Sequence, residues 1–210
     1  MPQVIEIGVT ELGQHYEVNY ENGVKVLNSK NTNYSFGSLH QIMLKGINEV
    51  LKKEKPKSIL MLGLGAGSAI DILNRRCNWK HRITVVEIDQ KLIELAKVHF
   101  NLSQYEHVDT IQGDASLVVK ELNKGQYDLI IDDVFWDDDI PAFCRTSDYL
   151  EANASLLSKN GVYLRNTMVM KTEASHLFEK ALKTTFPEVD SVTHQVYENK
   201  IYFCRKAKSK

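Results

Sequence analysis

The chain is poor in residues that staple a fold or anchor it to a membrane. It has only three cysteines in 210 residues, Cys77, Cys144 and Cys204, widely spaced and odd in number. No CxxC pair and no Cys/His ligand spacing occurs, which excludes a disulfide framework and a zinc site as organising features. No apolar run approaches the roughly 20 residues that span a bilayer. The first residues, Met1 to Glu6, lack a basic stretch followed by an apolar one. The expected location is therefore cytoplasmic, with no membrane partner. Charge of one sign is also missing, since 26 basic and 27 acidic residues leave a formal net charge of −1. Such a balance provides no global field to recruit nucleic acid. A small-molecule substrate is the expectation that remains.

What is present is a change of periodicity. Residues 1–37 alternate apolar and polar in two runs, Val4–Val9 and Tyr16–Leu27, and Asn22-Gly23 inside the second is a strong hairpin signal. They read as a small N-terminal antiparallel β element. Ser38 is placed to cap a helix reaching about Glu54, with Leu39, Met43, Ile47 and Leu51 on one face, and Pro56 closes that segment.

From Lys57 onward strands alternate with helices. The expected strands are Ser58–Leu62, Arg82–Glu87, Val108–Gln112, Tyr127–Asp132 and Gly161–Asn166. The helices between them are Ala69–Arg76, Gln90–Phe100, Ala115–Leu122 and Ser147–Ser158. A helix over Glu173–Thr185 precedes two final runs, Val189–Tyr197 and Lys200–Arg205, read as a closing hairpin that adds an antiparallel strand at the sheet's end. The pattern predicts an α/β fold with a doubly wound, mostly parallel seven-stranded sheet over residues 38–210.

Folds of this kind bind ligands beyond the carboxyl ends of their strands. Gly63-Leu64-Gly65-Ala66-Gly67 stands where the first strand ends, and glycine there lets a ligand lie against the main chain. Glu87 ends the second strand about 20 residues further on, where a carboxylate accepts bonds from both hydroxyls of a ribose. Asp114 follows the third strand and suits either an adenine amino group or the cap of the next helix. Ile88 and Ala115 flank these acids. A dinucleotide site asks for G-x-G-x-x-G, whereas the third glycine here comes one residue early. The tighter spacing is that of adenosylmethionine-type enzymes. Gly63, Gly65, Gly67, Glu87, Ile88, Asp114 and Ala115 are thus the expected cofactor site, for S-adenosylmethionine or its decarboxylated form.

At these residues the chain resembles the spermidine synthase (aminopropyltransferase) family, within the class I S-adenosylmethionine-dependent methyltransferase superfamily and its Rossmann-like fold. Ser58-Ile-Leu-Met-Leu-Gly-Leu-Gly-Ala-Gly, Val85-Val86-Glu87-Ile88-Asp89, Gly113-Asp114-Ala115 and Tyr127-Asp128-Leu-Ile-Ile-Asp132 match its motifs. The likeness runs from about Val18 to Thr167. It implies a homodimer and places His40 at the substrate cleft; the alternative for His40 is the seam between the β element and the main sheet. Three departures stand out. The loop acid of the family is Ala66 here, the second acid of its D-S-x-D stretch is Phe135, and its tyrosine before the helical His/Gln is Leu39. A diammonium substrate needs a carboxylate at each end, because an unpaired desolvated ammonium is costly. Loss of two acids therefore weakens the case for putrescine and favours methyl transfer.

Methyl and aminopropyl transfer are both displacements at a sulfonium carbon, so the protein has to align the reactants and take a proton. Asp132, at the end of the fourth strand, is the expected catalytic residue. Asp133 is a further substrate-binding candidate, although alternation along the strand sends it to the opposite side. Phe135 and Trp136 are expected to wall the substrate. No metal site is expected, since the fifth strand ends in Arg165-Asn166 rather than an acid. Three readings follow: a methyltransferase of spermidine-synthase-like form acting on a small molecule, an aminopropyltransferase, and a cofactor-binding protein without activity.

Overall fold

The computed structural model describes residues 3–30, 33–35, 37–137, 139–168, 173–194 and 199–206. Two sheets organise them. The smaller is antiparallel, in the order β1 (Gln3–Val9), β2 (His15–Glu21), β3 (Val24–Asn28) and β4 (Asn33–Ser35). Its β2–β3 hairpin turns at Asn22-Gly23, with φ of 51° and 79°. These left-handed values match the twist of the flanking strands and explain why that dipeptide marks the turn.

The larger sheet has the order β10-β11-β9-β8-β5-β6-β7. Its members are β5 (Ile59–Leu62), β6 (Ile83–Glu87), β7 (Val108–Gln112), β8 (Tyr127–Asp132), β9 (Leu157–Met168), β10 (Glu188–His194) and β11 (Asn199–Arg205). Strands β5 to β9 pair in parallel. Every residue of β5 is buried. Ile59 and Met61 face one apolar layer while Leu60 and Leu62 face the other, which is why the strand is apolar without alternation. The doubly wound sheet expected from the sequence is present.

Helix α1 (Gly37–Leu51) contributes Met43, Ile47 and Val50 to the first layer; the side chains of Ser38 and Leu39 lie outside the described residues. Helices α3 (Gln90–His99), α4 (Ala115–Glu121), α5 (Ser147–Leu156) and α6 (Glu173–Thr185) complete the two layers.

Three expectations need correction. The antiparallel strand does not sit at the sheet's end: β11 pairs antiparallel with both β9 and β10, so it lies between them and β10 forms the edge. The crossover through α6 leaves a one-strand gap that the returning hairpin fills. The helix after the glycine turn is not uniform, because α2 (Ser68–Asp71) passes into a π-helical turn, Ile72–Arg76. There the Asn74 side-chain amide donates to the Ile70 carbonyl at 2.8 Å, competing with the backbone bond of a regular turn. Finally, α5 stops at Leu156 and β9 starts at once at Leu157, slipping register between Tyr127 and Leu129 of β8.

The small sheet packs on the large one. Tyr16, Val18 and Leu27 bury against Leu92 and Leu95 of α3 and Phe100 just after it, with Ala66 of the glycine turn in the same cluster. Polar contacts seal the seam: Glu6 lies 2.7 Å from the His99 ring and 3.1 Å from the Lys91 ammonium, and accepts a bond from the Tyr16 hydroxyl at 2.8 Å. The His99 contact, followed by the Tyr16 and Lys91 contacts, holds the Glu6 carboxyl at about 2 despite the opposing effect of burial.

Candidate active site

The chain reverses direction across the sheet between β5 and β8, and ligands of such folds bind beyond the strand ends at that switch point. Gly63 follows β5 with φ of 80°, and a Cβ there would stand 2.6 Å from the Asp133 carbonyl oxygen. Only glycine permits this approach of the two strand ends. Beside it opens a cavity of about 250 Å³.

The end of β6 carries Glu87, which is 7% exposed. One carboxylate oxygen accepts the Leu64 N–H at 2.8 Å and the other the Asp89 N–H at 3.0 Å. These bonds tie the glycine turn to β6 and hold the carboxylate in the cavity wall. Burial raises the Glu87 pKa, and the backbone N–H bonds oppose that rise. Asp114 caps α4 by accepting the Ser116 N–H at 2.7 Å and also lines the cavity. Gly63, Gly65, Glu87, Ile88, Asp114 and Ala115 all line the same space. Gly67 does not; it begins α2 in the left-handed region and shapes the turn from behind.

The two acids at the end of β8 lie in different surroundings. Asp132 is fully buried and is not part of the cavity wall. It pairs with the buried Arg165 guanidinium, directly opposite it on β9, and accepts a bond from the Tyr163 hydroxyl at 2.5 Å. Alternation along β8 sends it into the layer beneath α4 and α5, where its charge is matched within the protein. Burial and then Asp132 push the Tyr163 phenol up, so that it remains a donor.

Asp133, the next residue, lines the cavity. Its Oδ1 accepts the Asn166 amide at 2.9 Å, and Asn166 in turn accepts the Asn199 amide at 3.2 Å. Burial pushes the Asp133 carboxyl up to about 7, against the Asn166 bond and the Arg165 charge and reinforced by Asp132 and Glu87. Phe135 and Trp136 line the cavity, joined by Phe143. His40 is absent from the described lining. Burial lowers its pKa, an effect that Asp71 opposes and Arg76 adds to.

The sequence reading missed Asp89, Asn166 and Asn199. Asp89 is 3% exposed, caps α3 through the Lys91 N–H and lines the cavity, and its second oxygen is buried without a hydrogen-bond partner. Its capping position is legible in sequence, whereas the Asn pair joins residues 33 positions apart. Among the described residues no group of three or more His, Cys, Asp or Glu is arranged to hold a metal ion.

A glycine turn after the first parallel strand, an acid ending the second and another beginning the helix after the third define a protein of the class I methyltransferase fold. Within that class, the chain belongs to the spermine/spermidine synthase family: a family model described as Spermine/spermidine synthase domain matches residues 38–210. A polyamine aminopropyltransferase of Vibrio vulnificus is 34% identical over 120 residues, covering 56% of this chain and 40% of that protein. An eEF1A lysine and N-terminal methyltransferase of Xenopus laevis is 28% identical over 180 residues, 79% of this chain and 26% of that one. The chain thus spans less than half the length of either curated relative. Among solved structures, a probable spermidine synthase from Corynebacterium glutamicum superposes with a TM-score of 0.80 at 17% identity, over 98% of this chain and 80% of that one. Human methyltransferase-like protein 13 in complex with SAH gives 0.69 at 23%, over 83% and 84%. At such identities the likeness concerns the fold. Among the described residues no helix is long and apolar enough to cross a membrane.

Proposed function

We propose that the chain is an S-adenosylmethionine-dependent methyltransferase of spermidine-synthase-like form that acts on a small molecule. The observation that carries this reading is the convergence of Gly63, Gly65, Glu87, Asp114 and Asp133 on one cavity. Glu87 holds the ribose, Asp114 faces the adenine and the glycine turn lies under the donor's tail. The sulfonium methyl is then presented toward the end of β8. No covalent enzyme intermediate is needed; the enzyme aligns the nucleophile and takes its proton. Asp133 is the group placed for that proton, because its carboxyl borders the cavity and burial raises its pKa to about 7, near working pH. Asp132 holds the wall instead.

Methyl transfer is further supported at position 66. Ala66 is 1% exposed inside the apolar cluster under the small sheet, so no loop carboxylate repels that of intact S-adenosylmethionine. One observation favours a second reading. Among the described residues that line the cavity, Glu87, Asp89, Asp114, Asp133 and Asp137 are acids, and none is Lys, Arg or His. The carboxylate of the donor meets no cationic side chain there, which favours decarboxylated S-adenosylmethionine and aminopropyl transfer. Calorimetry with the two donors separates these readings. Intact S-adenosylmethionine is expected to bind at least as tightly; a preference of tenfold or more for the decarboxylated donor overturns methyl transfer.

A homodimer is part of the proposal. Strand β1 is the edge of the small sheet and exposes Val4, Ile7 and Val9, a row open to pairing.

A further inference from the structure

The cavity also speaks to its acceptor. Its titratable lining is wholly acidic among the described residues, so it selects for positive charge. The sulfonium of the donor supplies one, and the acceptor has room to supply another. Asp133 is where the acceptor's charge is met. Its Oδ1 is occupied by Asn166, and Asn166 is fixed by Asn199. No described residue donates to its other oxygen, which is left to the cavity.

The lining also holds three aromatic rings, and these are held in place from behind. The Phe135 ring lies 5.9 Å from the Arg165 guanidinium carbon, and Arg165 also donates to the Val134 carbonyl at 3.2 Å. Phe143 packs edge-on against the buried Tyr149, with centroids 5.1 Å apart. Trp136 stands 47% exposed at the rim. Three aromatic rings in the same lining as that carboxylate favour a ligand with an ammonium at one end and a flat apolar body at the other. A second ammonium in place of that body would have to lose its water among the rings or reach another lining acid such as Asp137. At about 250 Å³ the space is near the small end of ligand sites, so the acceptor that shares it with a nucleoside is compact.

We infer that the acceptor is an arylalkyl monoamine, its nitrogen at Asp133 and its ring against Phe135, Trp136 and Phe143. The inference rests on the methyl-transfer reading above. In the step, the bound ammonium first gives a proton to the Asp133 carboxylate; the neutral nitrogen then attacks the sulfonium methyl, a C–N bond forms as the C–S bond breaks, and the sulfonium's charge passes to the nitrogen as the donor becomes a neutral thioether. The product leaves as a methylammonium ion, and the Asp133 carboxyl returns its proton to solvent.

The test is adenosylhomocysteine release by the full chain with S-adenosylmethionine and a panel of phenethylamine, putrescine, catechol and a lysine-containing peptide, with donor binding measured in parallel by calorimetry. Phenethylamine is expected to give a kcat/KM at least tenfold above every other member. Trp136→Ala, a change at the exposed rim, is expected to raise its KM about fivefold with kcat nearly unchanged, and Phe135→Leu to do the same. Preference for putrescine, with Asp137 taking the distal ammonium, overturns the inference, as does preference for catechol or the peptide. Donor binding without turnover of any amine also overturns it. Failure of the donor to bind overturns the underlying reading instead.

Discussion

Asp132→Asn is expected to cost about 3–5 kcal/mol of folding stability, the range for removing one partner of a buried ion pair. The asparagine keeps the shape of the side chain and still meets the Tyr163 hydroxyl, but it leaves the Arg165 guanidinium charged, fully buried and without a counter-ion. Urea unfolding followed by circular dichroism reads the loss directly. Replacing both charges together, with Asp132→Leu and Arg165→Met, is expected to recover much of the stability, since an apolar pair removes the desolvation cost on both sides. A variant that melts like the parent yet has lost all turnover would return the reaction centre to Asp132.

Asp133→Asn is expected to behave in the opposite way. It removes a proton acceptor from the cavity wall without stranding a charge, so stability changes little. The rate of transfer is expected to fall by about 10²- to 10⁴-fold, the usual range for loss of a general base, with donor affinity within about twofold of the parent. The pH dependence carries the same signature. The base must be ionised to work, and its pKa is raised to about 7, so the rate of the parent rises as pH increases through about 7 and then levels. In Asp133→Asn that rise disappears. Asn166→Leu removes the bond that favours the carboxylate, and the rise is then expected to move to higher pH. An unchanged profile in Asp133→Asn would exclude the assigned role.

Much of this architecture is legible in the sequence because local chemistry and tertiary demand agree. Strands β7 and β8 fall at Val108–Gln112 and Tyr127–Asp132, as read; β8 is a mostly apolar run, and β7, at the sheet's edge, mixes Val108 and Ile111 with polar residues. Asn22-Gly23 marks its hairpin because few other dipeptides accept two positive φ angles. What escaped the reading is decided by contacts distant in sequence. The place of β11 between β9 and β10 depends on how far α6 carries the chain across the sheet, which no local pattern encodes. Ala66 reads as a missing loop acid, but its methyl group packs under Tyr16 and Leu92. The small sheet is what makes alanine fit.

The placement of Asp132 and Asp133 on opposite sides of β8 is the most instructive case. Alternation correctly sends the two side chains to opposite sides of β8, but it does not say which side meets a ligand. One signal was available: Arg165 is a lone charge in the apolar run Val162-Tyr163-Leu164, and a strand buried on both faces must supply it with a partner. Asp132 is the residue in register with it, which leaves Asp133 for the cavity. The Asp133–Asn166–Asn199 relay joins the ends of three strands and becomes visible only once strand order is known.

The central claim is that the glycine turn and the carboxylates at the strand ends grip one adenosine group. Calorimetric titration of the parent and of Glu87→Ala with adenosylhomocysteine tests it most directly. The parent is expected to bind with one site per chain, and the variant about 100-fold more weakly or not at all, since Glu87 alone offers two acceptor oxygens to the ribose and braces the turn through the Leu64 N–H. Equal affinity in the two proteins, or no binding to the parent, would contradict it.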